Sequence, residues 1–317
     1  NVYCQKTGMD YDAIVLGAGP AGSVAAMFLH KSGKNVLLVD KARFPRDKIC
    51  GDAQGRKAAA IMKELGIYEE YERLPGQKIY GITLSSPNGT QIHVDVASRS
   101  EPAPGYVHTR MVFDDFLFQS AKKRVETRVF NATDLIIENG CVKGITGIDE
   151  RGEKEEIRAN ILLAADGANS MVAIKLGLNR NPDEHHIIAL RAYYKNVKNL
   201  TDRIEIHLVK TLIPGYFWIF PLPNGSANVG LGMVKKDMQK KKIDLRKAII
   251  KTKYNTNVDV IPVTDWFLKK RNKLALSQQE IAQSCGINRS YVSMIDHNKN
   301  NHPSKFLKKK NLNLKDL

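Results

Sequence analysis

Gly17, Gly19 and Gly22 form a G-x-G-x-x-G run, and Asp40 follows eighteen residues after the last glycine. Residues of these types at this spacing suit the binding of a dinucleotide. Gly17 permits a tight turn, Gly19 lets backbone approach a pyrophosphate, and Gly22 brings a helix close to a sheet. Pro20 and Ala21 lie in the first helical turn, whose free N–H groups and dipole face the phosphate charge. Asp40, with Lys41 beside it, stands where ribose hydroxyls need an acceptor. A second cluster follows at Lys48, Cys50, Gly51 and Asp52. Gly51 allows backbone to approach a planar ring, which side chains would block. Asp52 can hydrogen-bond that ring or fix its own loop. Cys50 is either a reactive group or a small buried hydrophobe, the commoner fate of a free cysteine.

The elements that must hold these residues are legible in the same stretch. Residues 13–16 form a short apolar strand, the glycine turn opens a helix, and residues 36–39 form a second strand ending at Asp40. Strand, turn, helix and acid in register predict a Rossmann-type α/β unit. Residues 79–84 and 91–96 alternate in polarity around Ser86-Pro87-Asn88-Gly89, a hairpin signal. Residues 203–209 and 216–220 read similarly, with a turn at Pro223-Asn224-Gly225, so strands are expected across 79–96 and 187–234. Phe113, Phe116 and Leu117 recur at helical spacing, which makes Asp114 and Asp115 helix N-terminal residues rather than catalytic acids. His185 and His186 read as surface residues on a polar loop, since no partner has metal spacing.

A chain of 317 residues with 43% hydrophobic content accommodates two domains and a substantial core. The four cysteines (Cys4, Cys50, Cys141 and Cys285) include no C-x-x-C pair. That argues against a disulfide framework or a zinc site and fits a reducing, cytoplasmic compartment. No apolar run approaches the roughly 20 residues needed to span a bilayer. The chain begins with Asn1, and Met9, just before the first strand, reads as a natural start preceded by a disordered extension. Net charge is +16, of which residues 235–317 supply +13 from 20 basic and 7 acidic residues. Such a segment suits a nucleic acid or an anionic membrane, or is a solvated lysine-rich tail.

Four separated motifs in residues 10–235 resemble the geranylgeranyl reductase family, within the larger para-hydroxybenzoate-hydroxylase-like group of flavoproteins. They are the glycine turn with Asp40, the K-x-C-G-D run from Lys48 to Asp52, an R-x-x-F-D element at Arg110, Phe113 and Asp114, and a D-G motif at Asp166 and Gly167. The later Y-x-W-x-F-P element of Tyr216, Trp218, Phe220 and Pro221 agrees, although the family's preceding proline falls at Ile213, with Pro214 beside it. The resemblance implies a Rossmann-type FAD-binding domain carrying an inserted antiparallel substrate sheet, over residues 10–234. It implies FAD bound through the glycine turn, Lys48–Asp52, Arg110, Asp166 and Gly167. It also implies hydrogenation of isolated C=C bonds in geranylgeranyl chains, including those of archaeal-type lipids, with NAD(P)H or ferredoxin as electron donor and peripheral contact with a membrane. Tyr216, Trp218 and Phe220 are then expected to line an isoprenoid cavity; alternating aromatics are equally ordinary in a half-buried strand. An isolated alkene accepts hydride poorly, so a proton donor in a dry channel is required. Cys50 is the first candidate and Tyr216 the second.

The flavoprotein group carries a further Gly-Asp motif after the substrate sheet. Here the only Gly-Asp is Gly51-Asp52, so the C-terminal part of the flavin site is expected to be missing. Residues 235–264 read as a basic linker helix, lysine-rich over 235–253, and residues 311–317 as a tail. Between them, residues 265–310 resemble the lambda-repressor and Cro-like helix-turn-helix. Ser277-Gln278-Gln279-Glu280 is a capping box, and the resemblance makes Asn288, Arg289, Ser290 and Ser293 candidate DNA contacts. Two readings of the join follow: an interrupted reductase, or a flavin-binding sensor fused to a DNA-binding regulator.

Overall fold

The computed structural model describes residues 10–179 and 182–249. The N-terminal extension, the rest of the linker, the helix-turn-helix with Asn288, Arg289, Ser290 and Ser293, and the tail lie outside the described residues.

A parallel sheet has the order Glu126–Glu138, Val36–Asp40, Tyr11–Leu16, Lys154–Ala164. Its two central strands are nearly continuous apolar runs because helices or other strands cover both faces. Ile14, Val15, Leu37, Leu38 and Val39 are all fully buried, each contributing roughly 1.5–3 kcal/mol through removal from water. On one face Val15 and Leu38 pack with Ala26 and Met27 of the Pro20–Lys31 helix and Leu117 of the Arg110–Lys122 helix. On the other, Ile14, Leu37 and Val39 meet Phe130, Ile145 and Ile157. The outer strands extend past the parallel region, where Cys141–Asp149 pairs antiparallel with both and closes the ring.

The second sheet has six strands in the order Ile187–Tyr194, Ser226–Val234, Tyr216–Leu222, Arg203–His207, Gly81–Ser85, Gln91–Asp95. It is mixed rather than purely antiparallel, because Arg203–His207 runs parallel to Gly81–Ser85. The hairpin of residues 81–95 arrives from an earlier excursion of the chain, so no tight turn dictates the direction of that pairing. The expected strand of residues 79–84 divides at Tyr80. Gln77–Ile79 joins a small sheet with Ala53–Gln54 and Gly105–Val107, while Gly81 enters the large sheet. A Cβ on Gly81 would lie 2.6 Å from the Val94 carbonyl oxygen, so only glycine lets the chain change sheets there. Asn224 and Gly225 both take positive φ, 59° and 65°, as an Asn-Gly hairpin turn requires.

The lysine-rich segment does not continue as one helix. Its first helix spans Lys235–Lys240, and the helical backbone breaks at Lys242, which adopts φ 52°. The chain then returns so that Leu245 and Ile249 enter the core beneath the sheet with Phe217, Ile219 and Leu231. Residues 245–249 are again helical, so the expected helix is interrupted at 241–244, and burial of those apolar side chains sets where its second piece lies. Among the described residues no helix is long and apolar enough to cross a membrane.

Candidate functional site

The glycine turn sits at the C-terminal ends of the first two parallel strands. Gly17 has φ 98°, and a Cβ there would lie 2.4 Å from the Ala165 carbonyl oxygen. Gly22 is tighter still, its Cβ position being 1.7 Å from the Gly17 carbonyl oxygen. Gly19 differs, since a Cβ there would meet only the Arg46 guanidinium, at 3.3 Å. Two glycines therefore close the turn and the third keeps a side open. That open side adjoins a helix whose first turn has Pro20 and no side-chain cap, leaving its N–H groups for an anion.

Asp40 ties the turn to the strand end: its carboxylate accepts from the Ala18 and Ala42 N–H groups, each at 2.8 Å. Each oxygen keeps a further lone pair, and Lys41 beside it is exposed. The Asp166 segment lies alongside, held by the Ala165 N–H to the Leu16 carbonyl at 2.7 Å. One Asp166 oxygen accepts from the Met171 N–H at 2.7 Å. The other, Oδ1, is buried with no partner, and Gly167 follows with φ 87°. An orphaned buried acceptor calls for a donor, which the hydroxyls of a dinucleotide's ribose or ribityl groups supply. Open glycine, uncapped helix and orphaned carboxylate together fit FAD.

Arg110 opens its helix and pairs with Asp114, which also receives Arg46 at 2.9 Å. Asp114 is fully buried in the second helical turn. It is therefore the shared anchor of two arginines rather than a helix N-terminal residue, because a carboxylate facing two guanidiniums can be buried. Asp115 is positioned for a helical hydrogen bond from Gln119 at 3.0 Å. Although burial opposes its charge, Arg110 is held even more firmly protonated by Asp114 and by the Cys50 thiol beside it.

The loop of Cys50, Gly51 and Asp52 crosses one end of the six-stranded sheet. A Cβ on Gly51 would lie 2.8 Å from the Phe220 ring. The planar group that this glycine admits is thus Phe220, since the sheet packs against the loop from that side. Asp52 is buried with φ 71°, and its Oδ2 accepts from the Tyr193 hydroxyl at 2.6 Å and Asn228 Nδ2 at 2.8 Å. Burial pushes the Asp52 carboxyl above the ordinary range, against those hydrogen bonds and the Arg191 charge. Burial and Asp52 likewise push Tyr193 up. The Arg191 side chain is buried over the Tyr193 ring, 4.1 Å from its centroid, and holds Asp47 at 2.6 Å.

On the flavin-domain side, the Asp52 carbonyl accepts from Gln54 Nε2 at 2.7 Å and from the His108 N–H at 3.2 Å. Gln54 Oε1 then faces His108 Nδ1 at 2.9 Å, which makes Nδ1 the protonated nitrogen. His108 Nε2 is buried without a partner, and burial pushes this imidazole down to about 4.

Trp218 and Phe220 lie in this assembly, whereas Tyr216 is 42% exposed and its ring is tilted against Trp218, centroids 6.0 Å apart. His186 is at the surface near Asp183, and no metal-binding cluster exists among the described residues. Sequence reasoning missed Arg46, Asp47, His108, Arg191, Tyr193 and Asn228. Asn228 left a signal, being a polar residue inside the otherwise apolar run A-N-V-G-L-G-M-V.

The FAD binding domain family matches residues 10–264. The chain is 37% identical over 231 residues to digeranylgeranylglycerophospholipid reductase 1 of Methanosphaera stadtmanae, covering 70% of this chain and 54% of that protein. It is 30% identical over 246 residues to menaquinone reductase of Mycobacterium tuberculosis strain H37Rv, covering 75% and 59%. The chain therefore spans little more than half the length of these relatives. A geranylgeranyl bacteriochlorophyll reductase-like protein of Thermoplasma acidophilum superposes with TM-score 0.70 at 27% identity, over 80% of this chain and 65% of that one. A flavin-dependent brominase shares the fold, with TM-score 0.68 at 24% identity over 79% and 65%.

Proposed function

Because this chain belongs to the FAD binding domain family, with FAD as its cofactor, we propose that it is an oxidoreductase of geranylgeranyl reductase type. The reaction is reduction of isoprenoid C=C bonds in prenyl chains or archaeal-type lipids, a CH–CH oxidoreductase chemistry. The relatives named above support this substrate class. One observation on this chain carries the reading: apolar rows lead away from the loop across the large sheet. Trp218 pairs with Ile206, Ile206 with Leu84, and Leu84 with Ile92. Beside them run Ile204, Ile82 and Val94. Leu84, Ile92 and Val94 are 42%, 60% and 43% exposed. A cavity of about 310 Å³ opens next to them, lined by Ile79, Ile82, Val96, Tyr106 and Ile204. Three strand spacings make this track roughly 14 Å long, suited to a flexible apolar chain.

Bound and reduced, FAD supplies hydride. This chain's residues bind the cofactor through Gly17, Gly19, Pro20, Ala21, Gly22, Asp40, Lys41, Asp166 and Gly167, with Arg110 and residues 50–52 nearer the reacting end. Trp218 and Phe220 screen that end from water, and Tyr216 guides the substrate at the rim. Cys50, half-buried beside Arg110, is the preferred residue for placing a proton on the alkene; Tyr216 is too exposed to hold one in a dry channel. The electron donor is NAD(P)H or ferredoxin, and the lipid substrate brings the protein to a membrane surface.

The test is direct. Flavin-loaded protein, reduced anaerobically and mixed with a geranylgeranyl compound, should add two hydrogens per double bond while the flavin reoxidises, followed by mass spectrometry and absorbance. An unchanged product mass with flavin still reduced would refute the reading.

A further inference from the structure

Asn228 is fully buried on a central strand of the six-stranded sheet. Trp218 Nε1, which can only donate, lies 3.0 Å from Asn228 Oδ1. That contact fixes which way the carboxamide faces. Its two N–H groups therefore point the other way, one to the Cys50 carbonyl at 2.7 Å and one to Asp52 Oδ2 at 2.8 Å. Both donors are used, and both go to the same loop.

We propose that Asn228 is the positioning residue that sets the Cys50 loop, coupling it to Trp218 on the sheet face along which substrate would lie. Three consecutive residues are held at this seam. Cys50 is held by its carbonyl, Gly51 by close packing on Phe220, and Asp52 by its carboxyl group. Asp52 occupies the left-handed region at φ 71°, which is strained for a residue with a Cβ. Glycine would sit there without strain. The aspartate is retained at that cost because its side chain receives Asn228 and Tyr193. With the backbone anchored to the sheet, the Cys50 thiol meets Arg110 from the flavin domain. A substituent change at Trp218 or Asn228 therefore reaches Cys50 through one amide.

The effect on turnover rests on the reductase reading above, but the geometry of Cys50 does not, so the test reads them separately. Asn228→Asp keeps the volume and the acceptor for Trp218 and loses at least one of the two donors; Asn228→Ala loses everything. Iodoacetamide alkylation of the full-length, FAD-loaded chain is mapped by peptide mass spectrometry, with Cys141 as internal control. Both variants should raise Cys50 alkylation roughly tenfold as the loop loosens, leave Cys141 unchanged, and lower kcat with little change in KM. Asp52→Gly, which removes the carboxyl partner while relieving backbone strain, guards against misfolding of the Asn228 variants and should raise Cys50 alkylation similarly. Parent-like alkylation in folded Asn228→Asp, or in Asp52→Gly, overturns the proposal. Loosened Cys50 with no reductase turnover in any variant, parent included, would instead refute the reductase reading alone.

Discussion

The two ends of one sheet face obey opposite rules. At one end, the buried Arg191 side chain, the half-buried Tyr193 and the fully buried Asn228 are committed to the residue 47–52 loop. At the other, Leu84, Ile92 and Val94 are apolar and exposed. Ordinary burial would place these groups the other way round. A buried polar group stays only if its partners are fixed, so the first end is a clamp with one permitted arrangement. Exposed aliphatic side chains demand no particular partner, so the second end tolerates ligands that slide and vary. The pairing of a rigid clamp with a permissive track would serve the proposed reduction of long repetitive chains: one fixed reacting position and many admissible substrate registers.

Breaking the clamp should have the largest effect. Arg191→Met removes the cation that Asp47 and Asp52 face while keeping the bulk over Tyr193, leaving the mostly buried Asp47 carboxylate without its partner. A loss of about 3–5 kcal/mol is expected from urea denaturation, and a loss below 1 kcal/mol would show that the clamp is not electrostatic. The next effect is pH dependence. His108 titrates near the ordinary 6.5 when unfolded and at about 4 when folded. Folding therefore favours the neutral ring: its stability is complete above 6.5 and is lost as pH falls toward 4. The loss should reach about 3 kcal/mol, and His108→Phe should flatten that limb. Asp52 has the opposite sign. Its folded pKa is raised by burial, so stability declines as pH climbs above the ordinary carboxylate range. Asp52→Asn should remove this second slope while leaving the first, as read by melting temperature across pH.

The sequence made the flavin end far more legible than the clamp. Gly17, Gly19, Gly22 and Asp40 are local, and each answers a steric or hydrogen-bonding demand set by neighbours in the chain. The clamp joins Asp47 and Asp52 to Arg191, Tyr193 and Asn228, more than a hundred residues away, and only the fold brings them together. The same distinction explains Gly51. Glycine there announces a close approach, but sequence cannot say whose ring approaches, and it is Phe220. Asp114 was misread for a related reason, since its partner Arg46 comes from outside its own helix. The expected linker helix is interrupted at residues 241–244 because lysine-rich periodicity says nothing about where Leu245 and Ile249 must be buried.

The smallest effect on stability should come from the permissive end, and it is the sharpest test of the contrast. Ile92→Ser sits at 60% exposure on an edge strand, so stability should change by no more than about 0.5 kcal/mol. If the row from Trp218 to Ile92 carries prenyl chain, the same substitution removes apolar contact from the substrate's far end. KM for a geranylgeranyl substrate should then rise roughly threefold to tenfold at unchanged kcat, because the lost contact is equal in ground and transition states. A shorter prenyl compound, which never reaches the edge strand, should show no change. Equal responses to long and short chains would detach the apolar row from the substrate. A large stability loss would make Ile92 a packed residue after all, and the two ends of the sheet would no longer differ in kind.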